Sequence, residues 1–272
     1  MIVFPNAKVN LGLHIIDKRL DRFHNIETCF YPIGWKDVLE IIPANSLAFA
    51  SSGLAIPDKP EENLCLKAYH LIKSDFDIPP VKIQLHKIVP IGAGLGGGSS
   101  DAAFTIDLLN DKFKLGITEE KRNEYASKLG SDCAFFIKNS PVFAVEKGEV
   151  HEEINLPTFC IYTIVVIFPN IHVSTALAYQ SVIKRGKSQG LKKQLMLPIN
   201  EWKNTIENDF EKSVFPIYPE IEKIKALLYE EKAEYAAMSG SGSAVFGIFR
   251  HEPDVDKFKF ENYLVWSGEM KP

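Results

Sequence analysis

One stretch of this chain could hold a dense negative charge: Ile91-Gly92-Ala93-Gly94-Leu95-Gly96-Gly97-Gly98-Ser99-Ser100. A polyphosphate needs donors at close range, and glycines let successive backbone N–H groups approach because no Cβ intervenes. A helix opening directly after the run would add its unpaired amides and positive dipole end to the same site. Ser99 and Ser100 bring hydroxyls that can cap that helix, contact phosphate or reach a magnesium ion, with Ser100 the candidate metal ligand. A branched side chain at Gly97 would stand where the phosphates approach. Glycine runs also occur in linkers, but here an alternating segment precedes the run and a helical pattern follows it. The run is not a Walker A loop, because GxxxxGK[ST] requires a lysine after the last glycine and serines stand there. Gly92 to Gly97 does satisfy GxGxxG. A dinucleotide fold, however, wants a continuously apolar strand before the motif and an acidic residue closing a second strand roughly twenty residues on. Asp111 has about that spacing but ends the helical pattern.

The elements that must position this loop follow from periodicity. Val81, Ile83 and Leu85 alternate with Lys82, Gln84 and His86, which predicts a half-buried strand leading into the run. Ala102, Ala103, Ile106, Leu108 and Leu109 predict a helix from Ser99 to about Asp111. Further helices are predicted over 63–74, ending before Pro79-Pro80, and over 118–129. The first fifty residues read as mostly β, with strands at Thr28–Ile33 and Val38–Ile42 separated by Gly34-Trp35-Lys36-Asp37. Ile161 to Phe168 reads as a strand buried on both faces. Helices are expected after Ser174 and over 219–231. Strands are expected on either side of Met238-Ser239-Gly240-Ser241-Gly242-Ser243. The charged, aperiodic segment Glu146 to Pro157 is the expected domain boundary. This mixture of helices and wet-faced strands predicts an α+β protein.

Composition narrows the functions. The chain has 272 residues, enough for two modest domains, with 46% hydrophobic and 24% charged residues. A formal net charge of -4 argues against a nucleic-acid partner, which calls for a basic surface. No apolar run is long enough to span a bilayer, and no signal peptide is read at the start, so no membrane partner and a cytoplasmic location are expected. Cys29, Cys65, Cys133 and Cys160 are scattered without CxxC spacing, so free buried thiols are expected and zinc is not.

Pro90 to Ala103 resembles the central phosphate motif of the GHMP kinases, the group containing galactokinase, homoserine kinase and mevalonate kinase. Pro5-Asn6-Ala7-Lys8-Val9-Asn10-Leu11 resembles that group's N-terminal motif, and Met238 to Ser243 its C-terminal glycine motif. The three occur in the family's order across nearly the whole chain. Within the group, Phe23-His24, the triple glycine Gly96-Gly97-Gly98 and Leu129-Gly130-Ser131-Asp132 resemble members that phosphorylate a methylerythritol carried on CDP. The resemblance implies ATP and Mg2+ as cofactors, a CDP-linked methylerythritol as small-molecule substrate, and transfer to its tertiary hydroxyl in isoprenoid precursor synthesis. It also implies a two-domain α+β fold. The N-terminal ATP-binding domain, residues 1–153, would be of the ribosomal protein S5 domain 2-like type, and the C-terminal substrate domain, residues 154–272, a ferredoxin-like sandwich.

The resemblance carries roles to particular residues. Asp132 is similar to the catalytic base, although an aspartate after Gly130-Ser131 equally suits a turn or cap. Lys8 is similar to the active-site lysine, although a lone lysine on a β segment is usually just solvated, and Asn10 would orient one of these groups. Asn63 and Lys87, with Pro90 and Ile91 and the loop from Gly92 to Ser100, would bind the nucleotide. Phe23 and His24 resemble a cytosine-binding Tyr-His pair, Tyr179 a second aromatic wall and Thr175 a nearby polar contact; a core aromatic on a helix face is the lesser alternative for Tyr179. Two stretches depart from the family. Arg22-Phe23 replaces Gly-Tyr, which keeps the stacking face, loses a hydroxyl and stiffens a turn. Ser131-Asp132-Cys133-Ala134-Phe135 replaces Ala-Asp-Val-Pro-Phe. A mevalonate- or homoserine-type kinase would have no use for an aromatic-His pair, and a non-catalytic binding protein on this fold would be expected to lose Lys8 or Asp132.

Overall fold

The computed structural model describes residues 1–57, 62–157, 159 and 161–270. Through the first half run β1 (Ile2–Val3), β2 (Asn6–Lys18), β3 (His24–Lys36), β4 (Val38–Pro43), β5 (Ala48–Gly53), α1 (Leu64–Asp75), β6 (Val81–Lys87), α2 (Gly97–Phe113), α3 (Glu119–Leu129) and α4 (Cys133–Lys138). Next come β7 (Val142–Val145), β8 (Val150–Glu152), β9 (Thr163–Phe168), α5 (Thr175–Gln180), α6 (Leu191–Gln194), α7 (Ile199–Trp202), α8 (Glu211–Val214), α9 (Pro219–Glu230), β10 (Tyr235–Met238), β11 (Val245–Phe249) and β12 (Leu264–Glu269). Contacts group the chain into two compact units, one of residues 1–7, 35–91 and 96–140, the other of residues 8–34, 92–95 and 141–272.

The first unit is built on a sheet of order β1-β4-β6-β5, in which β5 runs parallel to β6 and the other pairs are antiparallel. The alternation of β6 is obeyed at Val81, Ile83 and Leu85, which are buried, while Lys82, Gln84 and His86 reach outward. Lys87 continues the buried face, where a charged residue is unusual. Helix α1 begins at Leu64 because Asn63 caps it, its Oδ1 accepting from Cys65 N at 2.9 Å. Cys65, Leu66, Ala68, Tyr69 and Ile72 form its buried face. Thr118 caps α3 in the same way, accepting from Lys121 N. The break expected over Gly34–Asp37 is narrower than the sequence suggests. β3 continues through Lys36, and Asp37 alone turns the chain, its Oδ1 accepting from Ile88 N and Val89 N at 2.5 and 2.8 Å.

The second unit holds two sheets, β2-β3-β7-β8 and β10-β11-β9-β12. β9 lies between β11 and β12, both antiparallel to it, and Ile164 to Ile167 are fully buried. That explains an unbroken apolar run, since neither face is wet. The strand is shorter than expected: Ile161 is in a turn and exposed. The core of this unit gathers Leu13 and Ile15 of β2, Val165 and Ile167 of β9, Ile221, Ile224 and Leu228 of α9, and Val245 and Phe249 of β11. Cys29, Cys65 and Cys133 are buried free thiols; Cys160 lies outside the described residues. Among the described residues, no helix is long and apolar enough to cross a membrane.

Candidate functional site

In the glycine loop, Gly92, Gly94 and Gly96 take φ values of 67, 79 and 70°, a region where a side chain is strained. Close approach fixes Gly94 further, because a Cβ there would lie 2.0 Å from the Ser239 carbonyl oxygen. The loop's carbonyls are engaged by neighbours within the second unit. Ala93 O accepts from Ala244 N at 3.1 Å, and Leu95 O from Lys8 N at 2.9 Å. Gly94 O accepts from Lys8 Nζ at 3.1 Å and Ser239 Oγ at 2.8 Å. In a trans peptide the next N–H points opposite the carbonyl. The amides of Gly94, Leu95 and Gly96 are therefore turned away from these partners, as a phosphate cradle requires.

The helix after the loop starts at Gly97, two residues before its expected position. Gly96, in the left-handed conformation, is its N-cap, and no side chain caps it; the reading of Ser99 and Ser100 as caps is thereby corrected. They occupy the helix's first turn instead. Ser99 hydrogen-bonds the Cys133 thiol, which burial pushes up to about 11 against that bond. Ser100 is fully buried, and among the described residues its Oγ has no partner. The expectation for Gly97 also changes. A Cβ there would meet Lys87 Nζ at 2.9 Å and Val89 at 3.0 Å, whereas one on Gly98 would meet nothing within 4 Å. Gly98, not Gly97, borders open space at the helix start.

Lys87 is 2% exposed and donates to Asp37 at 2.5 Å and Asp101 at 2.8 Å. Burial opposes its ammonium, but Asp101 and Asp37 outweigh that and hold its pKa above the ordinary lysine value. Burial pushes the Asp101 carboxyl up to about 7, with Lys87 pulling it back. A cation so neutralised, lying beneath Gly97, steadies the helix start rather than reaching out from it. Asn63, Lys87, Ile91 and Gly98 line one cleft in the first unit, together with Ile56 and Leu85; Pro90 is buried beside it in sequence.

Asp132 is the N-cap residue of α4 and lies in a turn, without a side-chain capping hydrogen bond. Its Oδ1 accepts from Ser131 Oγ at 3.3 Å. α4 packs on α2, so the Ser99–Cys133 contact places Asp132 one residue from the loop's helix.

In the second unit, Lys8 is 3% exposed and donates to Asn10 Oδ1 at 2.6 Å. Asn10 Nδ2 donates to Thr28 Oγ1 at 3.0 Å, and Thr28 donates in turn to Gly12 O at 2.6 Å. Asn10 is thus an orienter of Lys8. His24 stacks on Tyr179 with ring centroids 4.5 Å apart and planes 15° from parallel. Tyr179 also meets Phe210 edge-on. Burial, then Lys18 and Lys184, hold the His24 imidazole below its ordinary pKa, favouring the neutral ring that can both donate and accept. Phe23 stands apart from this stack, 61% exposed, with Lys147 Nζ 5.4 Å from its ring centre. Thr175 Oγ1 lies 3.2 Å from Ser241 Oγ.

Sequence reasoning missed the two carboxylates on Lys87, which lie 50 and 14 residues away from it. It also missed Asn208, whose side chain holds the carbonyls of Met238 and Gly240. The available signal was the dense polar run Glu207-Asn208-Asp209 followed by Glu211.

Comparison with known proteins agrees with this arrangement. Residues 63–140 match the GHMP kinases N terminal domain and residues 191–263 the GHMP kinases C terminal domain. A 4-diphosphocytidyl-2-C-methyl-D-erythritol kinase of Bacteroides fragilis is 50% identical over 275 residues, covering all of both chains. One from Cytophaga hutchinsonii is 51% identical over 254 residues, 93% of this chain and 94% of that one. A crystal structure of a 4-(cytidine 5'-diphospho)-2C-methyl-D-erythritol kinase superposes with a TM-score of 0.77 at 31% identity, covering 91% of this chain and 89% of that one. Methanococcus jannaschii mevalonate kinase shares the fold, with a TM-score of 0.73 at 12% identity over 100% and 98% of the two chains. The loop, its buried lysines and both matched halves lead to one conclusion: this chain belongs to the GHMP kinase family.

Proposed function

We propose that this protein uses ATP to phosphorylate the 2-hydroxyl of 4-diphosphocytidyl-2-C-methyl-D-erythritol in isoprenoid precursor synthesis. The observation that carries the choice of substrate is the stacked His24–Tyr179 pair. Two motif residues 155 positions apart meet ring to ring, and a flat aromatic surface with a neutral imidazole suits a cytosine base. The identity shared with proteins named for this reaction supports it. The loop from Gly92 to Ser100 holds the ATP phosphates on its outward amides, and the cleft bearing Asn63, Ile91 and Gly98 takes the adenosine end, with Pro90 shaping the approach. Lys87 acts from beneath.

Asp132 accepts the proton of the substrate hydroxyl as its oxygen attacks the γ-phosphorus. The bond from that phosphorus to the β,γ-bridging oxygen breaks, and ADP leaves. Lys8, oriented by Asn10, steadies the charge that gathers on the transferring oxygens. Phe23, His24, Thr175 and Tyr179 hold the cytidyl end. The unpartnered Ser100 hydroxyl fits a single protein ligand to Mg2+, which otherwise binds through phosphate oxygens and water. Among the described residues no cluster of three or more His, Cys, Asp or Glu could hold a metal by itself. Bound Mg2+ supplies charge neutralisation on the phosphates. The division into an ATP-binding domain of residues 1–153 and a substrate domain of residues 154–272 follows the two family matches, one on each side, whereas contacts group residues 8–34, 92–95 and 141–153 with the C-terminal residues. A cytoplasmic location is supported by the buried free thiols.

The test is phosphorus NMR of the products formed from ATP and the CDP-linked substrate. A new phosphomonoester should appear alongside ADP. Asp132→Asn should slow its formation by about 10²–10⁴-fold while leaving substrate affinity intact. Gly98→Val should weaken ATP binding in a folded protein. Normal turnover in folded Asp132→Asn would remove the base from the mechanism.

A further inference from the structure

The segment from Glu207 to Glu211 carries four ionisable or amide side chains, and each is committed to a specific partner. Asn208 is 1% exposed. Its Nδ2 donates to Met238 O at 2.7 Å and to Gly240 O at 2.8 Å, and its Oδ1 accepts from Phe210 N at 3.0 Å. Two donors and one acceptor on so short a side chain are a property of asparagine: aspartate offers only acceptors, serine one donor, leucine none. Glu211 secures the same turn from the other side, its Oε1 accepting from Met238 N at 2.9 Å and its Oε2 from Lys225 at 2.5 Å.

The segment is also laced to β2, the strand that carries Lys8 and Asn10. Leu13 N donates to Glu207 O at 2.9 Å, and Asp209 N donates to Leu13 O at 2.8 Å. Asp209 Oδ2 accepts from Ile15 N at 2.9 Å, and Arg185 clamps both Asp209 oxygens, at 2.7 and 2.6 Å. Arg185 reaches Glu207 at 2.8 Å as well.

The turn held by Asn208 presses on the phosphate loop. Gly240 has φ 55°, and a Cβ on it would lie 3.3 Å from Gly94 Cα and 3.4 Å from Asn10 Oδ1. Ser239, between the two carbonyls that Asn208 holds, donates to Gly94 O at 2.8 Å, the oxygen that also receives Lys8. We propose that Asn208 is a positioning residue for phosphoryl transfer: it fixes the Met238–Gly240 turn and, through Ser239, the Gly94 carbonyl and the Lys8 ammonium. This rests on the roles given above to Lys8 and the glycine loop. Asn208 touches no reacting atom, and its effect is on where those atoms stand.

The test combines Asn208→Ala, Ser239→Ala and the double variant with steady-state kinetics and amide hydrogen exchange. Small displacements of reacting groups are costly, so kcat should fall by about 10–100-fold in each single variant. KM for ATP and for the CDP-linked substrate should stay within about threefold. The double variant should lose little more than the worse single one, since both act along one path. In Asn208→Ala, exchange should quicken at the Lys8, Ser239 and Ala244 amides while the interiors of β9 and β11 keep their protection. Unchanged kcat in folded Asn208→Ala would overturn the proposal. So would protection lost evenly through β9 and β11 with normal turnover per folded molecule. If Asn208→Ala does not fold, Ser239→Ala decides, since it removes one hydroxyl: a lowered kcat supports the path and a normal one ends it. Failure of the wild-type protein to phosphorylate the CDP-linked substrate would overturn the proposed substrate instead, and the exchange pattern would still decide the role of Asn208.

Discussion

Strand β2 is buried over most of its length and leads into an exposed turn, and the two regions meet the same backbone demand differently. Along the strand, Ala7, Val9, Leu11 and Ile15 are fully buried, with Lys8 and Asn10 buried between them. Beyond the strand's far end, Leu20 is fully exposed and Phe23 largely so. Both the buried strand and the exposed turn after it have a residue in the left-handed region. In the strand it is the middle residue, Gly12, φ 69°, where a Cβ would press on Ile206 and Leu191 at 2.7 and 2.8 Å. At the tip it is Arg22, φ 72°. Packing dictates glycine in the strand, while at the tip only backbone strain of about 1 kcal/mol opposes arginine. The buried strand has no room for a side chain at Gly12, whereas the exposed turn carries one at Arg22.

The contrast is sharpest in activity. Lys8→Met, in the buried strand, should lower kcat by about 10²–10³-fold, the usual cost of removing one donor to a developing oxyanion, with ATP affinity nearly kept. A small effect would place Lys8 among structural lysines and erase the distinction between the two regions.

Next in size is a pH effect, farther along the same strand. His14 is fully buried, and among the described residues neither ring nitrogen has a partner. Burial, then Arg185, lowers its pKa from 6.5 to about 4, with Asp209 and Glu207 pulling the other way. The unfolded chain therefore binds this proton at higher pH than the folded one. Stability from this group is complete above about pH 6.5 and is lost as pH falls toward about 4, by roughly 3 kcal/mol in all. Denaturant titrations at neutral and mildly acid pH, compared between wild type and His14→Leu, isolate it. An identical pH dependence in both proteins would show that His14 does not titrate across this range.

Recognition at the tip should show smaller effects. Tyr179→Ala removes the ring under His24 and should cost about 1–3 kcal/mol in affinity for the CDP-linked substrate, leaving ATP binding unchanged. Phe23→Ala should cost less, because its ring lies outside that stack. Equal losses for the two would make Phe23 a full partner in the base site. Smallest of all, Arg22→Gly should raise stability by up to about 1 kcal/mol, the released strain being partly offset by the extra freedom of glycine in the unfolded chain. A loss of stability would mean that the guanidinium makes a contact outweighing the strain.

The same contrast governs what was legible in the sequence. Local signals were sufficient where neighbours in sequence do the work: the alternation of β6, the helical spacing over 63–74 and 118–129, the apolar stripe of α2 and the run of β9 each gave an element close to its observed span. The motifs singled out Lys8, the loop, Asp132, His24 and Tyr179 as candidates, and the last two stack on each other. What stayed hidden depends on distant partners. Lys87 reads as a residue that reaches the nucleotide until Asp37 and Asp101 close on it. Gly97 and Gly98 look equivalent until Val89 and Lys87 are found beneath only one of them. The short helices α6, α7 and α8 are single turns too brief for a period to show. β12, Leu264–Glu269, lacks alternation because most of its residues are half-buried at a sheet edge.

The most direct test of the central claim is a substrate panel with ATP: the CDP-linked methylerythritol, free methylerythritol, mevalonate and homoserine, each ranked by kcat/KM. The account predicts turnover of the CDP-linked compound alone, with free CDP competing against it and not against ATP. Preferred turnover of mevalonate or homoserine, or competition by CDP at the ATP site, would contradict it.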